Sequence, residues 1–146
     1  MPLGAFVADK KLMDLFTYNP VLGHINTFGG HPVSCAAGLA AFNVLSDENL
    51  LSSIKEKEAL FLTLLQHPVI KNVNSCGLMI AVEFDSFETN KKLIDILVDI
   101  NTVNTGVFTD WFLFASNCLR IAPPLVISKD EISLACQSII KALDSF

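Results

Sequence analysis

The C-terminal part of the chain has the clearest pattern of hydrophobic and polar positions. Hydrophobic residues recur there at helical spacing: Ile132, Cys136, Ile139 and Leu143. Just before them, Ser128-x-x-Glu131 has the form of a capping box, in which serine and glutamate satisfy the free amides of a helix start. The pattern predicts a helix that begins at Ser128 and buries one face.

Between residues 70 and 122 the pattern changes to a mixture of strands and a helix. Hydrophobic residues alternate with others at a period of two, which predicts a half-buried strand: Leu78, Ile80, Val82 and Phe84. A helix with Leu93, Leu97 and Ile100 on one side follows. Further strands are predicted at residues 107–108, 112–114 and 119–122. This order of elements predicts an α+β lobe.

The first part of the chain has weaker signals. Residues 5–8 are a short apolar run, residues 11–16 predict one or two helical turns, and residues 17–30 a loop. A helix of small residues is expected from Pro32. A fresh helix start at Ser46-Asp47-Glu48 is expected to end at His67-Pro68, because a proline restricts the residue before it. We therefore divide the chain into residues 1–45 and 46–146.

Composition suggests more apolar surface than an isolated domain needs. Hydrophobic residues make up 51% of the 146 residues and charged residues 17%, with a mean hydropathy of +0.50. Monomers rarely expose large apolar patches, so the excess favours a surface that another chain or domain covers. A large core with few loops is the alternative.

Charge makes some partners improbable. The net charge is −5, with 10 basic and 15 acidic residues and no basic cluster, so nucleic acid is not an expected partner. No apolar run has membrane-spanning length, and a membrane is not expected either. Cys35, Cys76, Cys118 and Cys136 form no CxxC pair and are predicted to be reduced, buried thiols of a cytoplasmic protein. No metal site is predicted, because His24, His31 and Cys35 match no usual zinc spacing.

The segment from His24 to Pro32, HINTFGGHP, has the parts of an anion site. Thr27 supplies a hydroxyl, Gly29 and Gly30 allow close approach of the backbone, and Pro32 starts a helix whose first amides have no helical partner. Such sites most often bind phosphate. Capping or stabilising a turn is an equally good role for Thr27 on the residues alone.

The only arginine, Arg120, stands before a rigid diproline in LRIAPPL. A planar guanidinium can grip a carboxylate with two parallel hydrogen bonds. An arbitrary arginine is more often a surface partner of Asp or Glu. The apolar neighbours Leu119, Ile121 and Ala122 predict a partly buried environment for this one.

Several motifs, in register from the first residue to the last, resemble the class III pyridoxal-phosphate aminotransferases of the ornithine and acetylornithine type. They are Met1-Pro-Leu-Gly-Ala5, Thr27-Phe-Gly-Gly-His-Pro32, Gly77-Leu-Met79 and Leu119-Arg-Ile-Ala-Pro-Pro124. The resemblance covers the C-terminal portion of such an enzyme. It implies the small α+β domain of a fold-type I transferase, an antiparallel sheet with helices on one face. A long linking helix and the end of the large cofactor-binding domain (strand, phosphate loop, helix) would precede it.

The resemblance also implies roles for individual residues. Thr27, Phe28 and Gly29 match the segment that binds the cofactor phosphate, where the threonine reaches the neighbouring subunit's cofactor across a homodimer interface. Arg120 matches the arginine that binds the substrate carboxylate. The implied cofactor is pyridoxal phosphate, and the implied substrates are an amino acid and a 2-oxo acid. His31 is expected to organise the loop by hydrogen bonding.

Two departures from the family bear on activity. The lysine that forms the Schiff base precedes the segment matching Met1-Pro-Leu-Gly-Ala5, so no catalytic residue is assigned. Lys10 and Lys11 follow that segment and are expected to be solvated. The chain alone is therefore expected to be inactive and to hold no stable cofactor. The family's Val-Arg-Gly is here Val73-Asn74-Ser75. The amino donor stays open, and a non-catalytic interaction module is the alternative function.

Overall fold

The computed structural model describes residues 1–47, 50–99 and 106–146, and the predictions for Glu48 and Ile100 lie outside these ranges. The chain separates into two compact units, Met1–Asn49 and Leu50–Phe146. Within the described ranges, no helix combines the length and apolar character needed to cross a bilayer.

Over its described residues, 1–47, the first unit contains three helices: α1 (Lys10–Met13), α2 (Leu15–Tyr18) and α3 (Pro32–Asp47). The Asp9 carboxylate caps α1 by accepting from the Lys11 amide at 2.8 Å. The two short helices, the loop after them and the helix that starts at Pro32 confirm the predictions for those segments. None of the described residues in this unit is buried, and α3 has apolar residues all round its surface.

Residues 5–8 form no regular secondary structure. One prediction for the first part of the chain is wrong. Ser46 and Asp47 end α3 rather than start a helix. The new helix, α4 (Ile54–Leu64), begins after a single 3-10 turn at Leu50–Ser53 and stops before His67.

In residues 50–99 and 106–146, the second unit forms a four-stranded antiparallel sheet with helices on one face, and an antiparallel sheet of this kind was predicted. Its strands are β1 (Asn72–Cys76), β2 (Met79–Glu83), β3 (Asp110–Phe112) and β4 (Ala115–Ile121), and their spatial order is β1-β2-β4-β3. The helices α5 (Phe87–Val98) and α6 (Lys129–Leu143) complete the unit with α4.

The core lies between the inner face of the sheet and these three helices. Its members are buried residues from β2, β4, α4, α5 and α6, including Ile80, Val82, Leu119, Phe61, Leu65, Leu93, Leu97, Ile132, Cys136, Ile139 and Leu143. The α6 residues are those that the helical spacing predicted. Ser128 and Glu131 form the predicted capping box, with both reciprocal hydrogen bonds present.

The strand predictions were only partly right. Residues 78–84 contain β2, and residues 119–122 contain the end of β4. Residues 107–108 form no strand, and Leu113 and Phe114 lie in the β3–β4 turn. Strand β1 was missed because its sequence, NVNSC, has a single strong strand former. It is an edge strand, where polar residues discourage pairing with other chains.

Candidate functional site

Arg120 lies on the outer face of the sheet, opposite the face on which α4, α5 and α6 pack. Along β4, Leu119 and Ile121 point inward because side chains alternate, so Arg120 points outward. Its side chain is 45% exposed. The expectation that apolar neighbours would partly bury Arg120 is therefore wrong, since those neighbours serve the opposite face.

The strand register places four residues in one row across this outer face. Asn74 is opposite Ala81, Ala81 is opposite Arg120, and Arg120 is opposite Asp110. Directly opposed residues on one face lie close enough to interact. Asn74, where the family pattern has arginine, is thus in the same row as Arg120.

Asp110 and Thr109 contact Arg120 directly. An Arg120 Nη2 hydrogen bond reaches Asp110 Oδ2 at 3.5 Å, and the Thr109 hydroxyl donates to the Arg120 carbonyl at 2.6 Å. Asp110 Oδ1 accepts from the Trp111 amide at 2.8 Å, which orients the carboxylate. Neither Thr109 nor Asp110 was predicted from the sequence. Both residues can be recognised only from the pairing of β3 with β4. That pairing could not be predicted, because the strand was expected at residues 107–108 and lies at Asp110–Phe112.

The segment after Arg120 is anchored to the rest of the unit. Pro123 and Pro124 fix two backbone φ angles. The Ile127 amide donates to the Pro124 carbonyl at 3.0 Å, and Lys57 Nζ on α4 donates to the Leu125 carbonyl at 2.6 Å. The strand that carries Arg120 therefore ends in a constrained position, which suits a side chain that must present a fixed geometry.

Ser75 turns away from the outer face and joins the sheet to α4. Its hydroxyl donates to Glu58 Oε1 at 2.6 Å, and the Gly77 amide donates to the same oxygen at 3.1 Å. Gly77 has φ +60°, a backbone conformation that favours glycine. Ser75, which stands in the segment where the family has Val-Arg-Gly, therefore has a structural role.

The loop with Thr27, Phe28 and Gly29 lies in the first unit and leads directly into α3. Thr27 is exposed, and the Phe28 side chain is 78% exposed. The His31 amide donates to the Phe28 carbonyl at 3.1 Å, and the Cys35 amide donates to the His31 carbonyl at 2.9 Å. His31 is thus the residue at which the first helical hydrogen bond of α3 begins.

The diglycine turn lies next to the helix N-terminus, as the anion-site interpretation requires. Gly30 has φ +75°, and a Cβ atom there would meet nothing within 4 Å. The space beside Gly30 is therefore open to a ligand. Thr27, Phe28 and Gly29 are brought together in this loop, whereas Arg120 belongs to the second unit.

The cysteines divide into two groups. All four are free, as predicted, but only Cys118 and Cys136 are buried, and Cys35 and Cys76 are exposed. Of the exposed pair, Cys35 lies on α3, where no described residue is buried, and Cys76 lies at the end of the edge strand β1. Burial raises the pKa of Cys136 to about 12. Burial, followed by the charge of Glu83 opposite, raises the pKa of Cys118.

Comparison with known proteins identifies the family to which the chain belongs. The family model described as aminotransferase class-III matches residues 1–143. The chain is 37% identical to the ornithine aminotransferase of Oceanobacillus iheyensis over 97% of this chain and 33% of that protein. It is 34% identical to ornithine aminotransferase 2 of Staphylococcus aureus over 94% of this chain. The chain belongs to the class III aminotransferase family.

Solved structures support the same assignment. The ornithine aminotransferase of Toxoplasma gondii, whose structure has partial occupancy of pyridoxal phosphate at its active site, is 30% identical with a TM-score of 0.72. That match covers 91% of this chain and 31% of the other. An aminotransferase of Bacillus anthracis, 23% identical with a TM-score of 0.76, shares the fold over 94% of this chain and 34% of its own. The chain spans about a third of the length of the curated relatives it matches.

Proposed function

We propose that this chain supplies the substrate-carboxylate clamp of a pyridoxal-phosphate-dependent aminotransferase. The reaction moves an amino group from an amino acid to a 2-oxo acid, and both substrates carry a carboxylate. The observation that carries the proposal is the position of Arg120, half-exposed on the outer sheet face beside a cavity of about 210 Å³. Its planar fork binds a carboxylate with two charge-assisted hydrogen bonds and so fixes the substrate's orientation.

The loop before α3 fits the phosphate of this cofactor. Its hydroxyl, the open space at Gly30 and the adjacent helix N-terminus are groups that stabilise a phosphate. Thr27, Phe28 and Gly29 would hold it, with Thr27 serving the cofactor of the neighbouring subunit in a homodimer. When bound, pyridoxal phosphate supplies the electron sink of the reaction. The work of this chain is to bind and orient, through Thr27 at the phosphate and Arg120 at the carboxylate.

The 146-residue polypeptide by itself is proposed to be inactive. The proposal is supported by the resemblance, in which the Schiff-base lysine precedes the segment that matches Met1-Pro-Leu-Gly-Ala5, and by the fact that a phosphate site alone does not hold the cofactor covalently. The four free cysteines support a cytoplasmic location, where thiols stay reduced. Amino transfer catalysed by this polypeptide alone would refute the proposed inactivity.

The proposal is tested in a chimera with a complete active site. Residues 1–146 replace the matching third of the Oceanobacillus iheyensis enzyme, to which they are 37% identical. In this chimera, Arg120→Lys should raise the KM for the carboxylate substrates about 30- to 150-fold, from the roughly 2–3 kcal/mol of a charge-assisted bond. An ammonium cannot reproduce the planar fork.

Lys91→Gln is the matched control, because Lys91 is also a half-exposed cation paired with a carboxylate, that of Asp95 at 2.5 Å. It should leave kcat and KM unchanged. If Arg120→Lys leaves KM at the control value in an active chimera, Arg120 does not bind the substrate carboxylate.

A further inference from the structure

The end of β4 that carries Arg120 is paired regularly on one side only. On that side, β2 pairs with β4 from Cys118 to Ile121 without interruption. On the other side, the pairing with β3 contains a register shift between Trp111 and Phe112. A register shift locally disrupts the ladder of backbone hydrogen bonds. The sheet alone therefore fixes this end of β4 less firmly than a strand that is regularly paired on both sides.

The start of β4 is held by a side chain from α5. Asn90 is fully buried, and its Nδ2 donates to the Ser116 carbonyl at 2.8 Å. A buried amide is costly unless it makes hydrogen bonds, so this contact is an integral part of the fold. It fixes the beginning of the strand, whereas the other end, next to Arg120, requires a separate attachment.

Lys57 of α4 supplies that attachment, just beyond the end of β4. Its ammonium is part-buried and donates to the Leu125 carbonyl at 2.6 Å. The acidic neighbours of Lys57 have other partners: Glu56 pairs with Lys129, and Glu58 accepts from the end of β1 and the turn after it. Among the described residues, the carbonyl is thus the only hydrogen-bond partner of this ammonium. A bond from a charged donor is stronger than one between neutral groups.

The backbone between Arg120 and Leu125 is stiff. Pro123 and Pro124 have fixed φ angles, and Ala122 is restricted to extended conformations because it precedes a proline. Few soft torsions lie between the two ends of this segment. The position of the Leu125 carbonyl is therefore transmitted to the backbone of Arg120 and is not absorbed by a flexible loop.

We infer that Lys57 is a positioning residue for Arg120. By binding the Leu125 carbonyl, Lys57 fixes the end of β4 and so the direction in which the guanidinium meets a substrate carboxylate. Small displacements of a positioning group weaken binding and catalysis, even when the displaced group itself is intact. The inference rests on the proposed role of Arg120 and adds a residue on α4 that supports it without touching the substrate.

The first test measures the order of the arginine side chain in the full-length chain. Because Arg120 is the only arginine, ¹⁵N-arginine labelling gives a single Nε–Hε signal. Its heteronuclear NOE reports motion on the picosecond-to-nanosecond scale. Lys57→Met keeps an apolar stem but has no donor, and we expect a loss of NOE intensity in this variant. Lys57→Arg, which restores a charged donor, should recover it.

Two variants on the same helix are the controls. Lys55→Met removes an exposed ammonium by the same substitution, and Glu56→Gln weakens the exposed pair with Lys129. Both should leave the NOE of Arg120 at the wild-type value. A loss of equal size in either control, or no loss in Lys57→Met, overturns the inference.

The second test is kinetic and uses the chimera with the Oceanobacillus iheyensis enzyme. Lys57→Met should raise the KM for the carboxylate substrates about 3- to 10-fold, the equivalent of one hydrogen bond, and leave kcat unchanged. Lys57→Arg should restore most of the affinity. A general weakening of the fold would lower kcat in both variants, and this result would contradict a positioning role.

Arg120→Lys separates failure of the inference from failure of the proposed function. If Arg120→Lys raises KM while Lys57→Met leaves it unchanged, Arg120 binds the carboxylate and Lys57 does not position it. If Arg120→Lys leaves KM at the control value, the proposed function is overturned, and with it this inference.

Discussion

At the residue scale, Thr27 has the most direct proposed contact with the cofactor. Its hydroxyl is exposed in the loop that precedes α3, close in sequence to the positive-φ turn at Gly30. Hydrogen bonds to a charged group contribute about 1.5–3 kcal/mol. A single hydroxyl at a phosphate should therefore have a measurable effect on cofactor affinity.

In the chimera described above, Thr27→Val should weaken pyridoxal-phosphate binding about 10- to 150-fold, because valine keeps the shape but not the hydroxyl. The measurement is the dissociation constant after removal and titration of the cofactor. Thr27→Ser should restore most of the affinity, and Thr17→Val, at an exposed threonine of α2, should be neutral. Equal affinities for Thr27→Val and Thr17→Val would rule out the contact.

For Arg120, the chemistry of the side chain could be predicted from the sequence, but its exposure and its neighbours could not. Its chemistry follows from the guanidinium and the diproline after it. Its exposure depends on the face to which β4 turns, and a one-residue difference in register reverses every side chain. The contact of Asp110 with Arg120 could not be predicted for the same reason, because the two residues meet only through the pairing of β3 with β4.

At the element scale, the start of α6 is the feature that the sequence specified most completely. The Ser128 amide and hydroxyl hydrogen-bond to Glu131 Oε2 at 2.8 Å each, and the Glu131 amide donates to Ser128 Oγ at 3.2 Å. Hydrogen bonds from the Ser128 backbone and then from its side chain lower the pKa of Glu131. The signal is local, so no tertiary information was needed.

Replacing Ser128 by Ala should lower the free energy of unfolding by about 1 kcal/mol, because an orphan amide loses its acceptor. Chemical denaturation at pH 7 measures this change in the free energy of unfolding. Glu131→Gln should also destabilise at pH 7. Since the folded-state pKa is lowered, its contribution is present above the ordinary value of 4.5 and is lost as the pH falls through the folded-state pKa.

The matched control is Glu88→Gln, at an exposed glutamate in the first turn of α5. Wild type and Glu131→Gln should converge in stability at low pH. A difference between them that is constant from pH 7 to pH 3 would contradict a role for the ionised Glu131.

Strand β1 shows the limit of local signals. Its register with β2 pairs Val73 with Val82 and Ser75 with Ile80 on the inner face. The polar residues between them point outward, and Ser75 is satisfied by Glu58 from α4. Pairing with β2 and a long-range hydrogen bond make this segment a strand, and neither is visible in the five residues themselves.

At the scale of the whole molecule, burial is confined to the second unit. All buried residues among those described belong to residues 50–146, whereas the first unit exposes large hydrophobic side chains such as Phe6, Leu39 and Phe42. A helix that is apolar all round is normally buried. This matches the surplus of hydrophobic residues that the composition indicated, and it favours association of the first unit with other polypeptide.

Residues 50–146 should therefore fold alone and unfold cooperatively, with a Tm close to that of the full chain, because the core is complete without residues 1–49. Circular dichroism during heating measures this. Leu119→Ala should destabilise both forms by about 2–5 kcal/mol. Phe42→Ala, at a side chain that is 66% exposed, should leave the Tm of the full chain unchanged. If residues 50–146 alone show no cooperative unfolding transition, their core is not complete without residues 1–49.

The single tryptophan of the chain is adjacent to Asp110 in β3, and its ring meets that of Phe87 edge-on, with 5.2 Å between centroids. An indole emits light whose colour and intensity depend on its electrostatic surroundings. Because Trp111 donates its backbone amide to the very carboxylate that faces Arg120, a charge arriving there shifts the field around a unique fluorophore. The fluorescence of Trp111 therefore reports the binding of a charged ligand beside Arg120 without an attached label.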